Sequence, residues 1–284
     1  MEKRFATILG LTLTIAFLSS TNSIARPVNP ATGWLSSLEM DSSAWKLEFA
    51  KDPYFESGST KSYPYKDTGL EVSDITQSDG SLQLAFGYGW PRFAAEIYLG
   101  NRTSTIEWKE TQNGVHTKDI RAEGLGGSLY GLRLSGCIWK GDVFSIGLGS
   151  FIAVSPNWRV KVWEIPDGKE KFEYRSDVPL SSYDASLVMA EGGIDLTGYW
   201  TLGSWVPWVA LDARKVTSII DLQINNAGIP ISGKDFVLQP TKGSGLTLGI
   251  DWRFTNNLLA RLAIEAGNPG GAFLSINTCS GERP

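Results

Sequence analysis

The chain has one histidine, His116, set in Asn113-Gly114-Val115-His116-Thr117-Lys118-Asp119. Catalysis would need a nucleophile within its reach, yet only Thr117 adjoins it and the nearest serine downstream is Ser128. A lone histidine beside an Asn-Gly turn reads as a solvated loop residue, so no catalytic residue is assigned. Without a second histidine, and with the acids scattered, no metal ligand set and no cofactor are expected. Cys137 and Cys279 fit neither a redox motif nor a metal site by spacing. Whether they pair in an oxidising compartment is left open. The ionised residues that stand out are of another kind: Glu96, Arg133, Asp195, Asp212, Arg214, Asp251, Arg253, Arg261 and Glu265 fall in the middle of apolar stretches.

The elements that carry these charges alternate with period 2. In Ser81 to Trp90, Leu82, Leu84, Phe86, Tyr88 and Trp90 share one face, opposed by Ser81, Gln83, Ala85, Gly87 and Gly89. The division recurs in Leu246 to Phe254 and in Leu258 to Gly267. Ten strands are expected, near 44–51, 81–90, 93–109, 121–139, 143–165, 183–200, 205–224, 242–254, 258–268 and 271–278. Short turns at Pro91-Arg92, Lys140 to Asp142, Thr201 to Ser204 and Thr255 to Asn257 alternate with connections around 52–80, 110–120, 166–182 and 225–241, mostly much longer. Trp158 to Arg175 alternates around Pro166-Asp167-Gly168, as a hairpin would. Trp90, Trp139, Tyr199, Trp200, Trp205, Trp252 and Phe254 gather at the short turns, where a membrane interface would hold aromatic rings.

Composition narrows the class. Of 284 residues 42% are hydrophobic and 20% charged, too apolar for disorder, and the net charge of -4 offers no basic stripe for nucleic acid. Lys3 and Arg4, the uncharged stretch Phe5 to Leu18, and Ser23-Ile24-Ala25 read as a Sec signal peptide at residues 1–25. An N-terminal extension at 26–43, a barrel at 44–278 and a tail at 279–284 would follow. No other run is long and apolar enough to span a bilayer as a helix.

The signal peptide, strands of about ten residues, aromatic girdle and alternating loops together resemble small bacterial outer-membrane β-barrel proteins of the OmpA-like or opacity-like kind. The resemblance covers the mature chain and points to no single family. It implies an all-β, antiparallel, up-and-down transmembrane barrel of ten strands, with eight as the alternative. Such barrels end on an aromatic residue, whereas this chain ends Thr278-Cys279-Ser280-Gly281-Glu282-Arg283-Pro284. Gly245 to Phe254 is similar to such a terminal strand but lies thirty residues early.

On that reading the nine charged residues line the lumen, where both signs can neutralise one another and fill a narrow tube. A plugged barrel with a structural or surface role is preferred, with a narrow porin-like channel second. A barrel hydrolase is third: omptin-like proteases would bring paired acids and an Asp-His pair that this chain lacks, and lipid-modifying barrels a His with a nearby Ser. The expected partners are outer-membrane lipids, lipopolysaccharide and the barrel-assembly machinery, the expected place is the cell outer membrane, and the protein is expected to be a monomer.

Overall fold

The computed structural model describes residues 32–49, 70–112, 115–166, 172–173, 181–226, 229–240 and 243–281. The signal peptide expected at 1–25 lies outside the described residues, as does the aromatic loop segment 50–69. Among the described residues twelve strands form one antiparallel sheet: β1 Gly33–Phe49, β2 Leu70–Trp90, β3 Phe93–Gln112, β4 Val115–Lys140, β5 Phe144–Pro166, β6 Phe172–Glu173, β7 Ser181–Trp200, β8 Trp205–Asn226, β9 Ile229–Pro240, β10 Ser244–Arg253, β11 Leu258–Asn268 and β12 Gly270–Cys279.

Ten strands close a ring near the short turns, because β8 pairs with β10 and β12 pairs with β1. Beyond that level the ring has eight strands. There β9 pairs with β8 along Ser218 to Asn226 and with β1 at Leu47 to Phe49, replacing β10, β11 and β12. The β11–β12 hairpin is therefore an insert that widens only the short-turn half of the barrel. The ten-stranded half closes along β12 and β10, whereas β9 and β1 meet in the eight-stranded half over the three pairs from Leu47 to Phe49.

Several sequence expectations change here. The first strand begins at Gly33 rather than near 44, so residues 33–43 are wall and not an N-terminal extension. Residues 70–80 belong to β2, 110–112 and 115–120 form the far ends of β3 and β4, and 229–240 form β9 inside what reads as a loop. The hairpin expectation beyond Trp158 fits β6, which pairs with Trp163 and Glu164 of β5.

The physical reason is that the strands outrun the apolar belt and the two faces then exchange polarity. On β1, Leu38 and Met40 point outward and Glu39 inward, whereas six residues later Lys46 and Glu48 are exposed and Trp45 and Leu47 buried. On β2, Leu82 to Trp90 show their apolar side chains outside, but nearer the far end Ile75 is inside and Ser78 outside. Each strand keeps its period of 2 while the parity of its apolar residues reverses. The nine-residue outward belt of β2 spans about 30 Å along the strand. At a tilt of ~40° that is roughly 23 Å, close to a bilayer's hydrocarbon height.

Where β1 changes partner from β12 to β9, the side chain of Asn268 fills the gap. Its amide Oδ1 accepts from the Lys46 backbone N–H at 2.7 Å, and Nδ2 donates to the Lys46 carbonyl at 2.9 Å. Asn268→Ala leaves both backbone groups to water at the joint. It should lower stability by about 1–2 kcal/mol, read by urea unfolding in vesicles followed through tryptophan fluorescence.

Candidate functional site

Inward-facing side chains of the ten-stranded half meet in ion pairs. Glu96 and Arg133 are cross-strand partners on β3 and β4, and Arg133 Nη1 lies 3.3 Å from Glu96 Oε2. The same guanidinium reaches across the lumen to β1, donating to Glu39 Oε1 at 3.2 Å and to Oε2 at 3.1 Å. Glu39 is 1% exposed and also accepts from Ser37 Oγ at 2.6 Å. The ring of Tyr98 lies 5.2 Å from the Arg133 guanidinium carbon, within reach of a cation–π contact.

Asp251 and Arg261 are likewise cross-strand partners, on β10 and β11. Their pairing is bidentate, with Nε to Oδ1 at 2.8 Å and Nη2 to Oδ2 at 2.7 Å. The indole N–H of Trp208 donates to Asp251 Oδ1 at 3.0 Å, and its ring sits under the guanidinium. Gly249 is required here, since a Cβ would collide with the Trp208 ring. Arg214 Nη2 lies 2.8 Å from Glu265 Oε2 and its Nε 3.8 Å from Asp212 Oδ1. Thr247 donates to Asp212 Oδ2 at 3.0 Å. Asp195 is buried and accepts from Thr197 Oγ1 at 3.0 Å. Arg253 is half-buried on the inward face of β10 at the short-turn end.

Toward the eight-stranded half a second polar layer appears. Arg102 of β3 pairs across the lumen with Glu191 of β7. Gln77 of β2 donates to Asp79 and accepts from Ser218 Oγ of β8 at 2.7 Å. Beyond it the lumen turns apolar. Trp45, Ile106, Leu187, Met189, Val216, Ile220 and Leu238, all at most 2% exposed, belong to one packed cluster. Sequence reasoning missed Glu39 because it stood outside the expected barrel. Arg102, Glu191 and the apolar layer were missed because nothing in a strand's alternation names the partner facing it across a tube.

The aromatic residues at the short turns divide. Trp90, Trp139, Trp200, Trp205, Trp252 and Phe254 are exposed on the outer surface, and Trp205 stacks on Trp252 with centroids 5.2 Å apart. Tyr199 does not join them. It is buried inside, its hydroxyl 3.6 Å from Cys137 Sγ, because Trp200 beside it takes the outward face. Cys137 and Cys279 are both buried free thiols. His116 lies at the tip of the β3–β4 hairpin, with Nε2 3.0 Å from Asp119 Oδ1.

A ring of strands with exposed leucine, isoleucine and phenylalanine around an ionised interior inverts the ordering of a water-soluble barrel. That ordering, apolar outside and ionised within a closed antiparallel ring, is the one a transmembrane β-barrel has. No protein-family model matches the chain, and no curated protein matches it. Among solved structures it is similar to the translocator domain of the autotransporter NalP from Neisseria meningitidis, at 11% identity over 97% of this chain and 95% of that one, with a TM-score of 0.43. The outer-membrane protease OmpT from Escherichia coli is similar at 9% identity, 86% and 93% coverage and a TM-score of 0.42. The outer-membrane protein OprG from Pseudomonas aeruginosa is similar at 10% identity, 88% and 98% coverage and a TM-score of 0.38. These likenesses concern architecture and carry no activity across.

Proposed function

We propose that the chain is an integral outer-membrane protein of a Gram-negative-type cell, exported by its signal peptide, whose barrel is a plugged support for surface recognition rather than a channel. Three features of the belt support insertion: its height, its exposed apolar residues and the outward aromatic rings at the short turns. Lipid on that face is the solvent that makes Leu84 at 49% and Ile264 at 60% exposure stable. The outer-membrane lipids and lipopolysaccharide are then its surroundings, the barrel-assembly machinery its route in, and the monomer its working state.

The observation that carries the plugged reading is the set of contacts between strands that are not neighbours. Arg133 to Glu39, Arg102 to Glu191 and Ser218 to Gln77 each cross the lumen, and the apolar cluster seals the tube beyond them. An ion would have to break these pairs and then enter a hydrocarbon layer, which burial energetics oppose by several kcal/mol. The refolded protein in a planar bilayer is therefore expected to be electrically silent. Discrete conductance steps from a purified, correctly inserted barrel would overturn the plugged reading in favour of a narrow channel.

A further inference from the structure

The step from ten strands to eight gives the outer wall a ledge, and its two cationic flanks point to a ligand. β1 leaves β12 at Ala44 and joins β9 at Leu47, while β8 leaves β10 at Ala213 and joins β9 at Ser218. Lys46 and Lys215 are the basic residues in those two intervals whose side chains face outward, because Trp45, Leu47, Arg214 and Val216 are buried inside. Just beyond the lysines β9 pairs with both strands, Pro240 with Leu47 and Leu238 with Ser218, so β1 and β8 run two strand spacings, or about 10 Å, apart where that layer begins. Below them the outer surface is made of small residues, Ser244, Ala266, Gly270 and Ala272, and then of the exposed belt residues Leu246, Ile264 and Leu274. Among the described residues the exposed Glu48, two residues beyond Lys46, is an acid on the same face.

We infer that Lys46 and Lys215 hold the phosphate of an outer-leaflet lipid, whose headgroup rests on the ledge above the β11–β12 hairpin and whose chains follow the small residues down to Ile264 and Leu274. This rests on the membrane reading above. Ammonium groups bind phosphate as compact point charges, and they lie where the apolar belt ends and headgroups begin. The small residues let the lipid approach the wall without displacing a side chain.

The test uses the full chain refolded in zwitterionic phosphatidylcholine vesicles, titrated with diphosphorylated lipid A and, separately, with its dephosphorylated form. Binding is read as the rise in unfolding temperature. The Lys46→Gln/Lys215→Gln variant is expected to bind the phosphorylated lipid about thirtyfold more weakly, with unfolding in pure phosphatidylcholine unchanged. Equal affinity of variant and native chains, or equal response to the dephosphorylated lipid, overturns the inference. So does an equal rise with inorganic phosphate alone, which would make the ligand a free anion. A chain that fails to insert overturns the membrane reading instead.

Discussion

Arg133→Ala is expected to remove about 3–5 kcal/mol of folding stability, the range for a buried ion pair that loses one member. The guanidinium pairs with two carboxylates, Glu39 and Glu96, and Glu39 is 1% exposed. Truncation leaves both acids facing an interior where water does not replace the lost bonds. The variant Arg133→Met combined with Glu39→Gln and Glu96→Gln should recover most of the loss, because it removes the buried acids along with their guanidinium. Urea unfolding in vesicles reads both. A loss below about 1 kcal/mol for Arg133→Ala would mean that bulk water reaches the pair, and the plugged lumen would be the wrong description.

A loss of similar size should follow Trp45→Ala in the eight-stranded half, about 3–5 kcal/mol. Trp45 is the largest of the fully buried side chains among the described residues and packs in the apolar cluster with Leu187, Met189 and Val216. Its removal empties the centre of a layer held by close packing, which the surrounding closed ring cannot collapse to fill. Among the described residues the indole N–H has no hydrogen-bond partner. Trp45→Phe should therefore be far milder, since it keeps much of the ring volume and removes an unpaired donor. Native-like unfolding of Trp45→Ala would show that the far half of the barrel carries little of the stability.

The two variants probe opposite interiors of one tube, and that contrast explains which parts of the fold were legible beforehand. Where a strand crosses the belt with a single parity, as Ser81 to Trp90 and Leu246 to Phe254 do, alternation marks the element and its two faces directly. Where parity reverses inside a strand the signal cancels. In β1 the apolar residues fall on even positions at Trp34, Leu38 and Met40 and on odd positions at Trp45 and Leu47, with serines between. Only the second half reads as a strand, so the first half passes for an extension. β9 escapes notice for a related reason: Ile229 to Pro240 contains two prolines and a glycine and lacks a long apolar row.

The lumen was legible in part. Alternation sets Asp251 opposite Trp252 and Arg133 opposite Leu132 and Leu134, and the structure places both charged residues inside. Tyr199 shows the limit of reading a cluster by composition, since adjacent aromatic residues on a strand must face opposite sides. The pairing of Arg102 with Glu191 was not legible at all, because β3 and β7 are separated in the ring by β4 and β5.

By itself the amino-acid sequence determined that the chain is built of amphipathic strands joined by tight turns at one end, because side-chain alternation and turn chemistry are local properties of the backbone. The tertiary structure alone decided that the ring has ten strands in one half and eight in the other, which carboxylate each arginine meets, and that the interior changes from ionised to apolar along the axis. Those outcomes depend on closure, which brings together residues far apart in the chain and sets which face meets each solvent.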